Sequence, residues 1–398
     1  MNIARHLITL LLAVVLASCG DDDNSEPPAE LTDFTATLEL NQRWSDPASD
    51  GVGQHYLFLT PLISGEMLIN AGRDGQLLSI ALKDGEILKR TELDTTLSAG
   101  IGGNDKLWLL ATRNAEVIAV SAANAQVLWK KRVASEVLAR PVLHKDAVLI
   151  RTVDGQIISL DAATGDIRWS YKQSLPALTL RGSSEPILSR DHIFVGLDNG
   201  RLVALAAANG EVVWDVALTV PEGRSEIQRL VDIDGHAELY GRILYASSFQ
   251  GRLVAIDVER GQFLWARPFS SYSGVTLDEK ALYVTDDRSH VWAIDRFSGA
   301  TLWKQDALTA RDVTRPVVMG DYLVVGDFDG YIHLLSRFDG HFVARTRVGE
   351  QDIESITENN GILVPPIVHA KQLLVTTRDG SVYAYTYSVP DASQDSSQ

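Results

Sequence analysis

The sequence predicts an all-β chain folded as an eight-bladed β-propeller of four-stranded antiparallel blades, with the ring closed by an N-terminal strand. Three observations predict it. One turn residue recurs eight times, at Gly75, Ala115, Gly155, Gly200, Gly251, Ser289, Gly330 and Gly380, at a period of about 44 residues. A Trp follows it by fourteen residues in five copies (Trp129, Trp169, Trp214, Trp265, Trp303), and a Pro precedes it by fourteen in five (Pro61, Pro141, Pro186, Pro316, Pro366). The eighth copy ends near Tyr387 without a Trp segment, while LELNQRWSD around Trp44 stands alone at the other end.

Each element of a copy follows from its residues. Pro opens the innermost strand, where no ladder N–H is lost, and the Asp/Asn-Gly turn supplies positive φ after the second. A β-branched strand, a second turn such as Thr164-Gly165 and the Trp strand complete the blade. Four short strands per copy are the pattern of a propeller blade. The constant phase of the Trp residues places them between neighbouring blades rather than in a ligand site. The Trp44 strand completes the eighth blade and removes an open edge.

Around this ring the chain divides into a lipoprotein-type signal at 1–18, an acidic flexible tether at 19–35, one propeller at 36–388 and a disordered tail at 389–398. Arg5, the apolar run Leu7–Ala17 and then small residues form a secretory signal, too short for the ~20 residues of a membrane span. With 36 Lys and Arg against 52 Asp and Glu, a net charge of −16 disfavours nucleic acid and anionic headgroups, so attachment to a membrane must be hydrophobic or covalent. The single cysteine, Cys19, excludes a disulfide within the chain and multi-cysteine metal sites.

Catalytic patterns are missing. There is no GxSxG, no HExxH and no complete GxGxxG, and Asp232-Ile233-Asp234-Gly235 begins like a calcium loop without its later ligands. His290 and His333 fall within strand-like repeats, with surface or hydrogen-bonded roles expected. No catalytic residue, cofactor or metal is expected.

Function in a repeat protein resides where the repeat is broken. The regular crossovers from a Trp position to the next Pro position take 10 to 13 residues, whereas 169 to 186 takes 17, 214 to 237 takes 23 and 344 to 366 takes 22. All three emerge on one face, and the first two are neighbours. The first presents Leu178, Leu180 and Arg181, the second Asp232 and Asp234, an apolar centre with orienting charges that suits protein docking. The structural alternative is that the leucines cap the core and the aspartates form turns.

Two resemblances add to this. VAIDVERGQFLW and ISLDAATGDIRW resemble, with the rest of about 350 residues, the pyrroloquinoline-quinone-like repeats of quinoprotein propellers. Quinoprotein alcohol dehydrogenases of that group use an adjacent-cysteine disulfide and calcium, which one cysteine cannot provide. Leu16-Ala17-Ser18-Cys19 resembles a lipobox, and together with the acidic tether, the eight blades and the loops ALTLRGSSEP and EIQRLVDID the chain resembles the BamB family, lipoproteins of the bacterial β-barrel assembly machinery. That resemblance implies a non-enzymatic outer-membrane lipoprotein, acylated at Cys19, facing the periplasm. It implies binding to the POTRA domains of BamA through Leu178, Leu180, Arg181, Asp232 and Asp234, and assistance to unfolded outer-membrane protein clients. A periplasmic quinoprotein-type dehydrogenase and a structural lipoprotein binding another envelope component remain the alternatives.

Overall fold

A computed structural model describes residues 26–46, 49–53, 55–174, 176, 179, 184–219, 224–225, 231–349 and 360–390. They form eight four-stranded antiparallel sheets arranged as the blades of a propeller. Blades one to seven are consecutive meanders covering 62–92, 102–132, 142–172, 187–217, 238–269, 275–305 and 317–347. The eighth joins the strands of 367–388 to the N-terminal strand Glu39–Asp46. Among the described residues no helix is long and apolar enough to cross a membrane.

Antiparallel meanders put successive connections on alternate faces of the ring. The turn between second and third strands and the crossover to the next blade share one face, here called the crossover face. The hairpins joining the first two and the last two strands share the other.

Every outermost strand carries the same bulge, one extra residue immediately before the Trp position. Leu128 is skipped between Val127↔Val120 and Trp129↔Ala119, and Arg43 occupies the same place between Gln42↔Tyr385 and Trp44↔Ala384. A bulge re-aims the following side chain. The shared register shows that Glu39–Asp46 is the eighth blade's outer strand, as the unpaired Trp44 segment predicts.

The core is divided into eight apolar clusters, one between each pair of neighbouring blades. Each bulged Trp enters the next blade and donates its indole N–H to a backbone carbonyl there: Trp44 to Leu82, Trp129 to Ala162, Trp169 to Ala207, Trp214 to Val258, Trp265 to Arg296 and Trp303 to Arg337, at 2.7–3.2 Å. The repeated Trp is therefore a joint between neighbouring blades. His290 and His333 are hydrogen-bonded within the fold, to Asp286 at 2.9 Å and to the fully buried Asp327 at 3.1 Å. Asp327 also accepts from Arg311 at 2.7 Å.

Candidate functional site

The second long crossover reaches the ring mouth at Asp232-Ile233-Asp234. In extended chain, alternate side chains take opposite sides. Ile233 is accordingly buried in the cluster between blades four and five, against the backbone of Gly196, while both aspartates point the other way. The segment is pinned by Phe249, whose N–H donates to the Asp232 carbonyl at 2.8 Å, and by Val275, whose N–H donates to the His236 carbonyl at 2.9 Å.

Asp232 is fully buried and Asp234 partly so, and with Asp198 of blade four they form a group in which one carboxylate oxygen from each lies within 4.8 Å of the others. Arg151, from the end of a blade-three strand and only 3% exposed, is ion-paired with Asp198. Its Nη1 also donates to Ser184 Oγ at 2.6 Å. Ser184 lies at the end of the first long crossover. The two crossovers thus converge at Arg151 and Asp198, the first bound through Ser184 and the second placing the carboxylates of Asp232 and Asp234 beside that of Asp198. Concentrated carboxylates in a low-dielectric setting demand cations, and Arg151 supplies a resident one. Leu178, Leu180, Arg181 and the anchor Cys19 lie outside the described residues.

The mouth around this convergence is electrically lopsided. The residue two before each repeat anchor sits in a crossover-face turn. Blades eight, one and two place Arg378, Arg73 and Arg113 there, blade four Asp198, and blades five and seven Phe249 and Phe328. A cavity of about 560 Å³ opens between the two sides, lined by Tyr56, Phe249 and Tyr272 with Arg73, Arg113 and Asp234. A second, of about 450 Å³, includes Arg140, Glu185, His236 and Arg315 among its lining residues. Loss of water, and then the charges of Arg315 and Arg140, push His236 down to about 3, so its imidazole is neutral at physiological pH. Arg140 pairs with Glu185 at 2.7 Å.

Sequence reasoning named Asp232 and Asp234 but missed Arg151 and Asp198. A signal for Arg151 existed: the equivalent positions in the other copies are Ala71, Ala111, Gly196, Ser247, Thr285, Gly326 and Thr376, all small. A long cation at a position otherwise kept small marks a local departure from the repeat.

Comparison with known proteins bears on this geometry. The family described as outer membrane protein assembly factor BamB matches residues 73–305 and 295–389. An outer membrane protein assembly factor BamB of Pseudomonas aeruginosa is 38% identical over 383 residues, covering 96% of this chain and 98% of its own. The crystal structure of BamB from Moraxella catarrhalis superposes with a TM-score of 0.77 at 27% identity, covering 87% of this chain and all of that one. A quinohemoprotein alcohol dehydrogenase from Comamonas testosteroni shares the fold alone, at a TM-score of 0.68 and 12% identity over 89% of this chain and 78% of its own.

Proposed function

The chain belongs to the BamB family of outer membrane protein assembly factors, and from that premise we propose that its crossover face docks on the POTRA domains of BamA while a lipid on Cys19 holds it at the periplasmic side of the outer membrane. It is an assembly factor and not a dehydrogenase, the shared propeller notwithstanding. The observation that supports the docking surface is the convergence of the two neighbouring long crossovers: Arg151 binds Ser184 of the first and Asp198, and Asp232 and Asp234 of the second bring their carboxylates within 4.8 Å of Asp198.

In this reading Leu178 and Leu180 provide apolar anchors and Arg181 a bidentate cation, the partly exposed Asp234 offers an acidic contact, and the fully buried Asp232 acts by holding the second crossover in place. The scaffold brings unfolded clients to the machinery and performs no covalent step. Lipidation supplies the attachment that an acidic surface cannot. The test is a pull-down of the tagged full chain from detergent-solubilised envelopes: BamA should copurify. Recovery of a different envelope component without BamA would favour the structural-lipoprotein alternative.

A further inference from the structure

We infer that residues 26–38 are a strap that decides which face of the ring turns toward the membrane, and that this is the crossover face at blades six and seven. The inference rests on anchoring at Cys19 and adds to it an orientation.

The strap is built into the fold. Glu26 places both carboxylate oxygens on Arg288, at 2.8 and 2.9 Å, and Arg288 stands in the crossover-face turn of blade six. Ala29 donates its N–H to Thr309 O at 2.9 Å and accepts from Arg311 at 3.1 Å, both residues belonging to the crossover from blade six to blade seven. Leu31 packs on the apolar cluster between these blades. Arg345 then donates to Thr32 O at 2.9 Å and lies over Phe34, whose ring is 5.5 Å from that of Phe342. Finally Thr37 and Leu38 donate to Val343 O at 2.9 and 3.1 Å, near the hairpin-face end of blade seven's outer strand. The segment descends the whole flank of the ring before entering the closing strand.

Chain length converts this path into orientation. Seven peptide steps separate Cys19 from Glu26, a reach of about 25 Å at most. The lipid must therefore lie close to the crossover face of blade six. Were the chain first held at Thr37, on the opposite face, eighteen steps would allow roughly 65 Å, enough to pass a blade of about 20 Å and leave either face toward the bilayer. Glu26, Ala29, Leu31 and Phe34 remove that freedom. The mouth bearing Asp232 and Asp234 is on the face so presented, so the strap also sets the side from which a partner approaches.

The experiment couples the mature chain through Cys19 to maleimide-headgroup lipid in phosphatidylcholine vesicles, with a coumarin amino acid replacing Asp287 on the crossover face or Glu279 on the hairpin face of blade six. Energy transfer to a headgroup acceptor should be higher from position 287. The difference should narrow in a Glu26→Ala, Phe34→Ala variant that melts like the parent, in which Ala29 becomes the first hold, and should be lost when a long Gly-Ser segment is inserted after Cys19 with the strap intact. Equal or reversed transfer in the parent, or a difference that survives the insertion, overturns the inference. Mass spectrometry of the natively produced N-terminus separately decides the anchor, because an unmodified Cys19 would refute lipidation while the coupled chain still decides the orientation.

Discussion

The indole of Trp129 lies against Gly165 of the next blade so closely that a Cβ on Gly165 would meet Trp129 Cε3 at 2.7 Å. The same contact joins Trp44 to Gly85, Trp169 to Gly210, Trp214 to Gly261, Trp265 to Gly299 and Trp303 to Gly340. Blade one has Lys89 in place of Trp, and the facing turn of blade two correspondingly has Ala125 instead of Gly, with Lys89 Nζ donating to Asn124 O. Trp and Gly are exchanged together because an indole needs the space a Cβ would fill.

Gly165→Ala should therefore destabilise the ring by roughly 2–4 kcal/mol, combining a positive-φ cost with a steric clash. Gly65→Ala is the control, since Gly65 has φ +60° but nothing within 4 Å of its Cβ, and it should cost only about 1–2 kcal/mol. In a Trp129→Ala background the excess cost at Gly165 should disappear. Chemical denaturation of the four variants measures it, and equal effects at Gly65 and Gly165 would refute the joint.

Closing the ring with Glu39–Asp46 gives a second prediction. Deleting 39–46 removes Trp44 from the joint with blade one and leaves Val382–Ser388 without an outer partner, so the variant should melt lower and aggregate through the bare edge. Deleting 20–25, which stops short of the first strap contact at Glu26, should leave the melting temperature unchanged. Similar melting of the two truncations would contradict closure.

The Arg151–Asp198 pair gives a third. Arg151→Leu leaves Asp198 buried beside Asp232 and Asp234 with one cation fewer, a change expected to cost about 3–5 kcal/mol. Replacing Asp198 by Leu as well should recover part of the loss, read by urea denaturation. A double variant less stable than Arg151→Leu would show that the loss does not come from stranding the Asp198 carboxylate.

A fourth concerns acid. An unfolded His titrates near 6.5, whereas His236 in the ring does so near 3, so between those values the unfolded chain binds more protons and stability falls as pH falls. The slope from this residue is at most about 1.4 kcal/mol per pH unit. Asp327, whose pKa remains below its ordinary 3.8 because bonds to His333 and Arg311 outweigh its burial, adds loss below about pH 4. His236→Gln should flatten the stability profile between pH 6.5 and 4.5, and an unchanged profile would remove His236 as its cause.

The ring was legible in the sequence because blade-to-blade packing repeats its chemistry at a fixed phase. Trp129 and Gly165 recur with the period, so strand order, turn positions and the closing role of Trp44 could all be read. The site was legible only in part. Asp232 and Asp234 stood out because their crossover is long, yet their neighbour Arg151 sits in a regular strand, visible only against the small residues at its equivalents. Asp198 resembles any Asp-Asn-Gly turn residue, and only the fold reveals that its carboxylate reaches the second crossover. The strap's contacts with blades six and seven are non-periodic, with 262 positions separating Glu26 from Arg288, so composition read residues up to 35 only as an acidic flexible tether, whereas Glu26, Ala29 and Thr32 are bonded to the ring.

Docking through the crossover face is tested most directly by the affinity of the purified chain for the isolated POTRA domains of BamA, comparing the parent with Arg181→Ala and with Asp232→Ala, Asp234→Ala in samples matched for folded content. Each variant should lose on the order of 2 kcal/mol, roughly thirtyfold in Kd, while Glu279→Ala on the opposite face binds like the parent. Parent-like binding by both crossover-face variants, with binding abolished by changes on the hairpin face, would contradict docking through the crossover face.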